Sequence, residues 1–148
     1  MLALTRSEFP PHPTSPEATP NFLNRVSAES ICRDIPLLVS QNLMLDADAL
    51  SLRGLRQFPD HEEILALRAL VCEVRQDWPG ADAALGLLAK LQNYRSPPQA
   101  WLHWVRVLRC LGELDRALST LREARLLHPL DLELHVEWQQ LQDQAVCG

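Results

Sequence analysis

Small and apolar residues recur in this chain at an interval of about 34 residues. Met44, Ala47, Ser51 and Gly54 share their mutual spacing with Trp78, Ala81, Leu85 and Leu88, and with Leu114, Ala117, Leu121 and Ala124. Met44 to Trp78 is 34 residues, and Trp78 to Leu114 is 36. Steps of three and four place each set on one face of a helix. A period of this length implies one helical unit used repeatedly, because each unit leaves an apolar face that only its neighbour can cover.

The unit is clearest from Ser96 to Pro129. Ser96-Pro97-Pro98-Gln99 reads as a helix start, with a serine cap, proline at the first helical position and glutamine at the third. Trp101, Trp104, Val105 and Leu108 then form one buried face. Gly112 can take the left-handed conformation that often ends a helix. A second helix carries Ala117, Leu118, Leu121 and Ala124 to the stop at His128-Pro129. The product is a helical hairpin. Pro59 ends an earlier helix as Pro129 does, and Asp60-His61-Glu62-Glu63 caps the next one. The spacing predicts hairpins over about 28–61, 62–95 and 98–131, with a two-residue insertion near Ser96 and a capping helix over 132–145. Together they make a helical domain spanning 21–148. Composition agrees: the 148 residues include 29 leucines, five glycines and only eight aromatic residues, which favours packed helices over a sheet. Pro36 is the misfit. It requires either a kink or two separate helices, Asn21–Asp34 and Pro36–Leu43. Ahead of the repeats, residues 1–20 hold five of the eleven prolines and little apolar surface, the pattern of a disordered tail.

The segment 98–131 resembles a tetratricopeptide repeat, whose motif is W-x2-L-G-x2-Y, then A-x3-F, then A and a closing P. Trp101, Trp104, Val105, Leu108, Ala117, Leu121, Ala124 and Pro129 stand at those places, with Val105 for the glycine and Leu108 for the tyrosine. The two earlier repeats keep chiefly the small residues Ala47 and Ala81 and the apolar spacing. The resemblance implies an all-α fold: three degenerate hairpins stacked as a short right-handed solenoid, closed by a capping helix.

Little in the chain points to chemistry. The histidines form no HExxH, and GxSxG, P-loop and GxGxxG patterns are absent. His103 and Cys110, seven residues apart, are the nearest approach to a Cys/His pair and read as a surface histidine and a partly buried thiol. Cys32, Cys72, Cys110 and Cys147 are spaced by 40, 38 and 37 residues, so no two offer the short local spacing of a zinc site. The expectation is a protein with no catalytic centre, no metal and no cofactor. A net charge of −5 argues against a nucleic-acid partner, whose phosphates must be neutralised. No apolar run is long enough for a membrane span, and the N-terminus lacks the charged-then-apolar order of a secretory signal. These features fit a cytoplasmic protein.

Another protein is then the expected partner. The resemblance implies that the first helix of each hairpin lines a concave groove. By spacing, the groove residues are Cys32 and Val39, then Glu63, Ala66, Leu70 and Glu73, then Gln99, Leu102, Arg106 and Arg109, with Val136 following from the capping helix. Ala66, Leu70 and Leu102 would form an apolar floor, although Leu70 and Leu102 could equally belong to the core. Arg106 and Arg109 could read a carboxylate or backbone carbonyls of a bound peptide. A compact acidic chain with three degenerate repeats also looks like the cytosolic tetratricopeptide-type chaperones of bacterial type III secretion, which hold an export client soluble. The alternative is a permanent scaffold subunit of a larger assembly, or a homodimer.

Overall fold

The computed structural model describes residues 26–147, and among these it contains seven helices and no strand. They are α1 (Ala28–Ser40), α2 (Met44–Gln57), α3 (Glu62–Val74), α4 (Trp78–Leu91), α5 (Pro98–Cys110), α6 (Leu114–Leu127) and α7 (Leu132–Cys147). Each packs on the next in order, and α1 also packs on α3 and α5 on α7. This is a solenoid of helical hairpins. The tail expected over residues 1–20 lies outside the described residues.

Turn chemistry explains where the helices stop. Within each hairpin the first helix ends on a left-handed residue: Asn42 at φ 61°, Gln76 at 61° and Gly112 at 80°. The residue after it donates its N–H back five residues, Leu43 to the Leu38 carbonyl, Asp77 to Cys72 and Glu113 to Leu108, at 2.7 to 2.9 Å. This paired closure satisfies carbonyls that the helix end leaves free. Between hairpins a different turn recurs. Phe58 and His128, each before a proline, take φ near −130° and end α2 and α6. Three residues on, the His61 and Asp131 side chains cap α3 and α7 through the backbone N–H groups of Ile64 and Leu134.

The middle junction breaks this pattern. The two-residue insertion lets α4 end on two successive left-handed residues, Asn93 at φ 53° and Tyr94 at 57°. Ser96 does not cap α5 as its sequence position predicts; Pro97 occupies the cap without a side-chain bond. The buried Ser96 hydroxyl instead donates to Gln92 Oε1 at 2.5 Å, and its carbonyl accepts from the Trp101 indole at 3.0 Å. Pro36 separates no helices: α1 runs through it unbroken, with Pro36 exposed and Ile31 and Ile35 buried on the other side. The missing Pro36 N–H leaves the Cys32 carbonyl without its helical donor. The capping helix reaches Cys147, two residues beyond the expected end.

Ala47, Ala81 and Ala117, equivalent in the three repeats, are fully buried. At Gly54 an added Cβ would meet Ile31 Cγ2 at 3.1 Å and Ile64 Cγ2 at 3.2 Å, so the second helix lies against both neighbouring first helices. The core forms three successive clusters, one centred on Ile31, Ile35 and Ile64, one on Leu65, Ala69 and Leu85, and one on Trp101, Leu108, Leu121 and Leu134. Trp101 stacks against Trp104 with ring centroids 6.1 Å apart.

Trp101→Ala should cost about 3 to 5 kcal/mol in urea denaturation, through lost burial and the cavity left behind. Gln76→Gly should raise stability by roughly 1 kcal/mol, and Gly112→Ala should lower it by a similar amount, because only glycine adopts the left-handed region without a Cβ penalty.

Candidate functional site

The first helices of the hairpins and α7 lie side by side, joined by polar contacts across each interval. Between α1 and α3, Glu63 hydrogen-bonds the Cys32 thiol; burial first and then this carboxylate push the thiol up to about 11. Between α3 and α5, His103 Nε2 lies 2.5 Å from Glu73 Oε1. Between α5 and α7, Arg109 donates to Glu137 at 2.6 Å and to Gln144 at 3.3 Å. Polar contacts therefore link α1 to α3, α3 to α5 and α5 to α7.

Most of the residues expected in a groove reach solvent at least in part, with one clear exception. Glu63, Ala66 and Arg106 are exposed, Val39 is half-buried, and Leu70 is 41% exposed. Leu102 is 2% exposed and packs in the third core cluster, so it provides no groove floor. Gln99 and Val136 are exposed and Cys32 is half-buried. Glu73 and Arg109 are each paired with a neighbouring helix, Glu73 with His103 of α5 and Arg109 with Glu137 of α7. Arg106, Arg109, Cys110 and Gln144 line a cleft of about 330 Å³ between α5 and α7. Arg106 has no ion-pair or hydrogen-bond partner among the described residues.

Among the described residues no group of three or more His, Cys, Asp and Glu side chains could hold a metal ion. The four cysteines are unpaired. Cys72 is buried, and burial, with Asp77 beside it, pushes its thiol up to about 11. Cys110, expected to be partly buried, is exposed, as is Cys147. His103 is committed to Glu73 and makes no pair with Cys110.

Sequence reasoning missed a polar network on the opposite side. Asp82 on α4 accepts from the Trp104 indole at 2.8 Å and from both terminal nitrogens of Arg116, at 2.9 and 3.1 Å. Burial disfavours its charged form, but the Arg116 and Trp104 hydrogen bonds outweigh that and hold the carboxyl below its usual range. Asp48 behaves alike: burial opposes ionisation, and Arg68 and Arg75 overcome it. Arg122 and Arg125 lie over the Trp138 ring at 5.8 and 4.8 Å from its centroid. A carboxylate and its arginine 34 residues apart leave no local signal in sequence.

Residues 98–141 match the family model of the tetratricopeptide repeat. Among solved structures, the first TPR domain of Spaghetti (RPAP3), bound to the HSP90 peptide SRMEEVD, is 18% identical with a TM-score of 0.66, covering 82% of this chain and 94% of that one. MamA, as its D159K mutant, is 18% identical with a TM-score of 0.66, covering 81% of this chain and 69% of that one. The Yersinia enterocolitica type III secretion translocator chaperone SycD is 16% identical with a TM-score of 0.60, covering 85% and 88%. The fold is a tetratricopeptide-repeat solenoid. No curated protein sequence matches the chain. No helix among the described residues is long and apolar enough to cross a membrane.

The two depressed aspartates set a pH dependence. Their carboxyls ionise more readily in the folded chain than in the unfolded one, so the folded state binds fewer protons there. The stability they contribute should be complete above about pH 4, the ordinary aspartate value, and be lost as pH falls through the lowered native values. Urea midpoints measured from pH 7 down to pH 2 should fall in that window, and Asp82→Asn should flatten the decline.

Proposed function

We propose that this chain is a non-enzymatic adaptor or chaperone that holds a segment of another protein along the shared face of α1, α3, α5 and α7. The observation that carries the reading is Leu70, a large apolar side chain 41% exposed beside Ala66, with unpartnered Arg106 on the facing helix. An apolar anchor beside a polar donor is what an extended peptide needs for affinity and orientation. The peptides bound by RPAP3, from HSP90 in one case and HSP70 in another, support a peptide as the occupant. The likeness to SycD supports a sharper form: a cytoplasmic chaperone of bacterial type III secretion that keeps an export client soluble.

A permanent scaffold subunit is the second reading. Leu126, Leu127, Leu130 and Leu132 are all at least half exposed around the turn from α6 to α7, with Tyr94 nearby. Exposed apolar surface of this kind suits a lasting interface away from the groove.

Leu70→Glu combined with Arg106→Glu should abolish client binding while leaving the circular dichroism spectrum unchanged, since both side chains reach solvent. Tagged wild-type and variant proteins purified from the native host, compared by mass spectrometry, provide the test. One secreted partner at near-equal stoichiometry, absent from the variant, is the expected result. Several subunits of one complex retained by the variant would favour the scaffold reading, and loss of helical signal would make these residues part of the core.

A further inference from the structure

Of the two arginines on the candidate groove, one is already neutralised by a carboxylate of the same protein. On the shared face stand two arginines, Arg106 and Arg109, against three glutamates, Glu63, Glu73 and Glu137. Glu137 is only 8% exposed and relies on Arg109 at 2.6 Å. A buried carboxylate that loses its partner is strongly disfavoured, so an incoming acidic group gains little by drawing Arg109 away. His103 is held in the same manner by Glu73. Two of the three groups a ligand carboxylate could use are thus occupied from within.

The other end of the face has the opposite character. Glu63 on α3 is exposed and stands beside Cys32 of α1, with no arginine or lysine paired to it among the described residues. Ala66 and Leu70 follow it along α3. Glu63 and Leu70 lie two turns apart on the one helix, a rise of roughly 10 Å, which an extended chain crosses in about three residues.

We propose that the groove selects an extended segment with an apolar anchor and a lysine or arginine about three residues away, and discriminates against acidic peptides. The anchor rests on Ala66 and Leu70, the basic residue meets Glu63, and Arg106 donates to backbone carbonyls of the segment. The assignment rests on the groove reading above and adds the sign of the charge it prefers.

Two fluorescein-labelled decapeptides test it by anisotropy against the full chain: a neutral host with a leucine anchor and a lysine three residues away, and the same peptide with glutamate for that lysine. The lysine peptide should bind at least about tenfold more tightly, and Glu63→Gln should remove most of that preference. Glu73→Gln with Glu137→Gln, which releases His103 and Arg109, should raise affinity for the glutamate peptide about tenfold. Glu73→Gln alone should do so partly, and it leaves the buried Arg109 pair intact if the double variant does not fold. Equal or tighter binding of the glutamate peptide by the wild-type chain would overturn the charge preference and leave the groove standing. Binding of neither peptide, or binding unaffected by Leu70→Glu, would overturn both.

Discussion

The close contact of helix on helix at small residues is the constraint on which the rest of this molecule depends. Ala47, Ala81 and Ala117 are fully buried where the second helix of each hairpin meets the first, and Gly54 lies against isoleucines from two repeats at once. A larger side chain at such a contact would overpack the interface. Because the contact recurs, each hairpin meets the next at a similar offset, and the first helices come to lie side by side. The shared face of α1, α3, α5 and α7 is a consequence of that stacking and needs no dedicated sequence of its own.

Polar pairs then hold adjacent repeats in register. Asp82 ties α4 to α5 and α6 on one side of the middle junction, and Glu73 with His103 bridges α3 to α5 on the groove side. The insertion loosens the helix connection at that point, where two successive left-handed residues and the buried Ser96 replace the proline turn used elsewhere. Val107 of α5 carries the apolar core across it, packing with Leu65, Ala69 and Cys72. Electrostatic links across a seam of this kind fix orientation as much as they add stability.

The same pairs decide what the groove can offer a ligand. A basic side chain that looks available in sequence contributes little to binding an anion once an internal carboxylate has taken it. Arg109 and Arg106 are three residues apart on one helix, yet the first is spoken for by Glu137 and the second is not. The candidate site is therefore an apolar surface with sparse, unequal charge.

Periodicity by itself determined the helices, the hairpins, the repeat length and the identity of the small contact residues, because these depend on side-chain spacing within one unit. Gly112 was legible as a helix stop; Asn42 and Gln76, which adopt the same left-handed conformation at the same offset, were not, because neither is glycine. The path of α1 through Pro36 was also undecided, since the buried Ile31 and Ile35 that fix its inner face draw their partners from α2 and α3. Only the tertiary structure decided that Leu102 is core, although Ala66, at the same position in the preceding repeat, is exposed, and that Leu70 is surface. Leu102 is covered where α5 packs into the last cluster, against Leu134 and Leu141 of α7, and Leu70 is left uncovered on α3. Which side chains are free and which are paired depends on neighbours 28 to 35 residues away in the chain, and that distance is set by stacking of whole repeats.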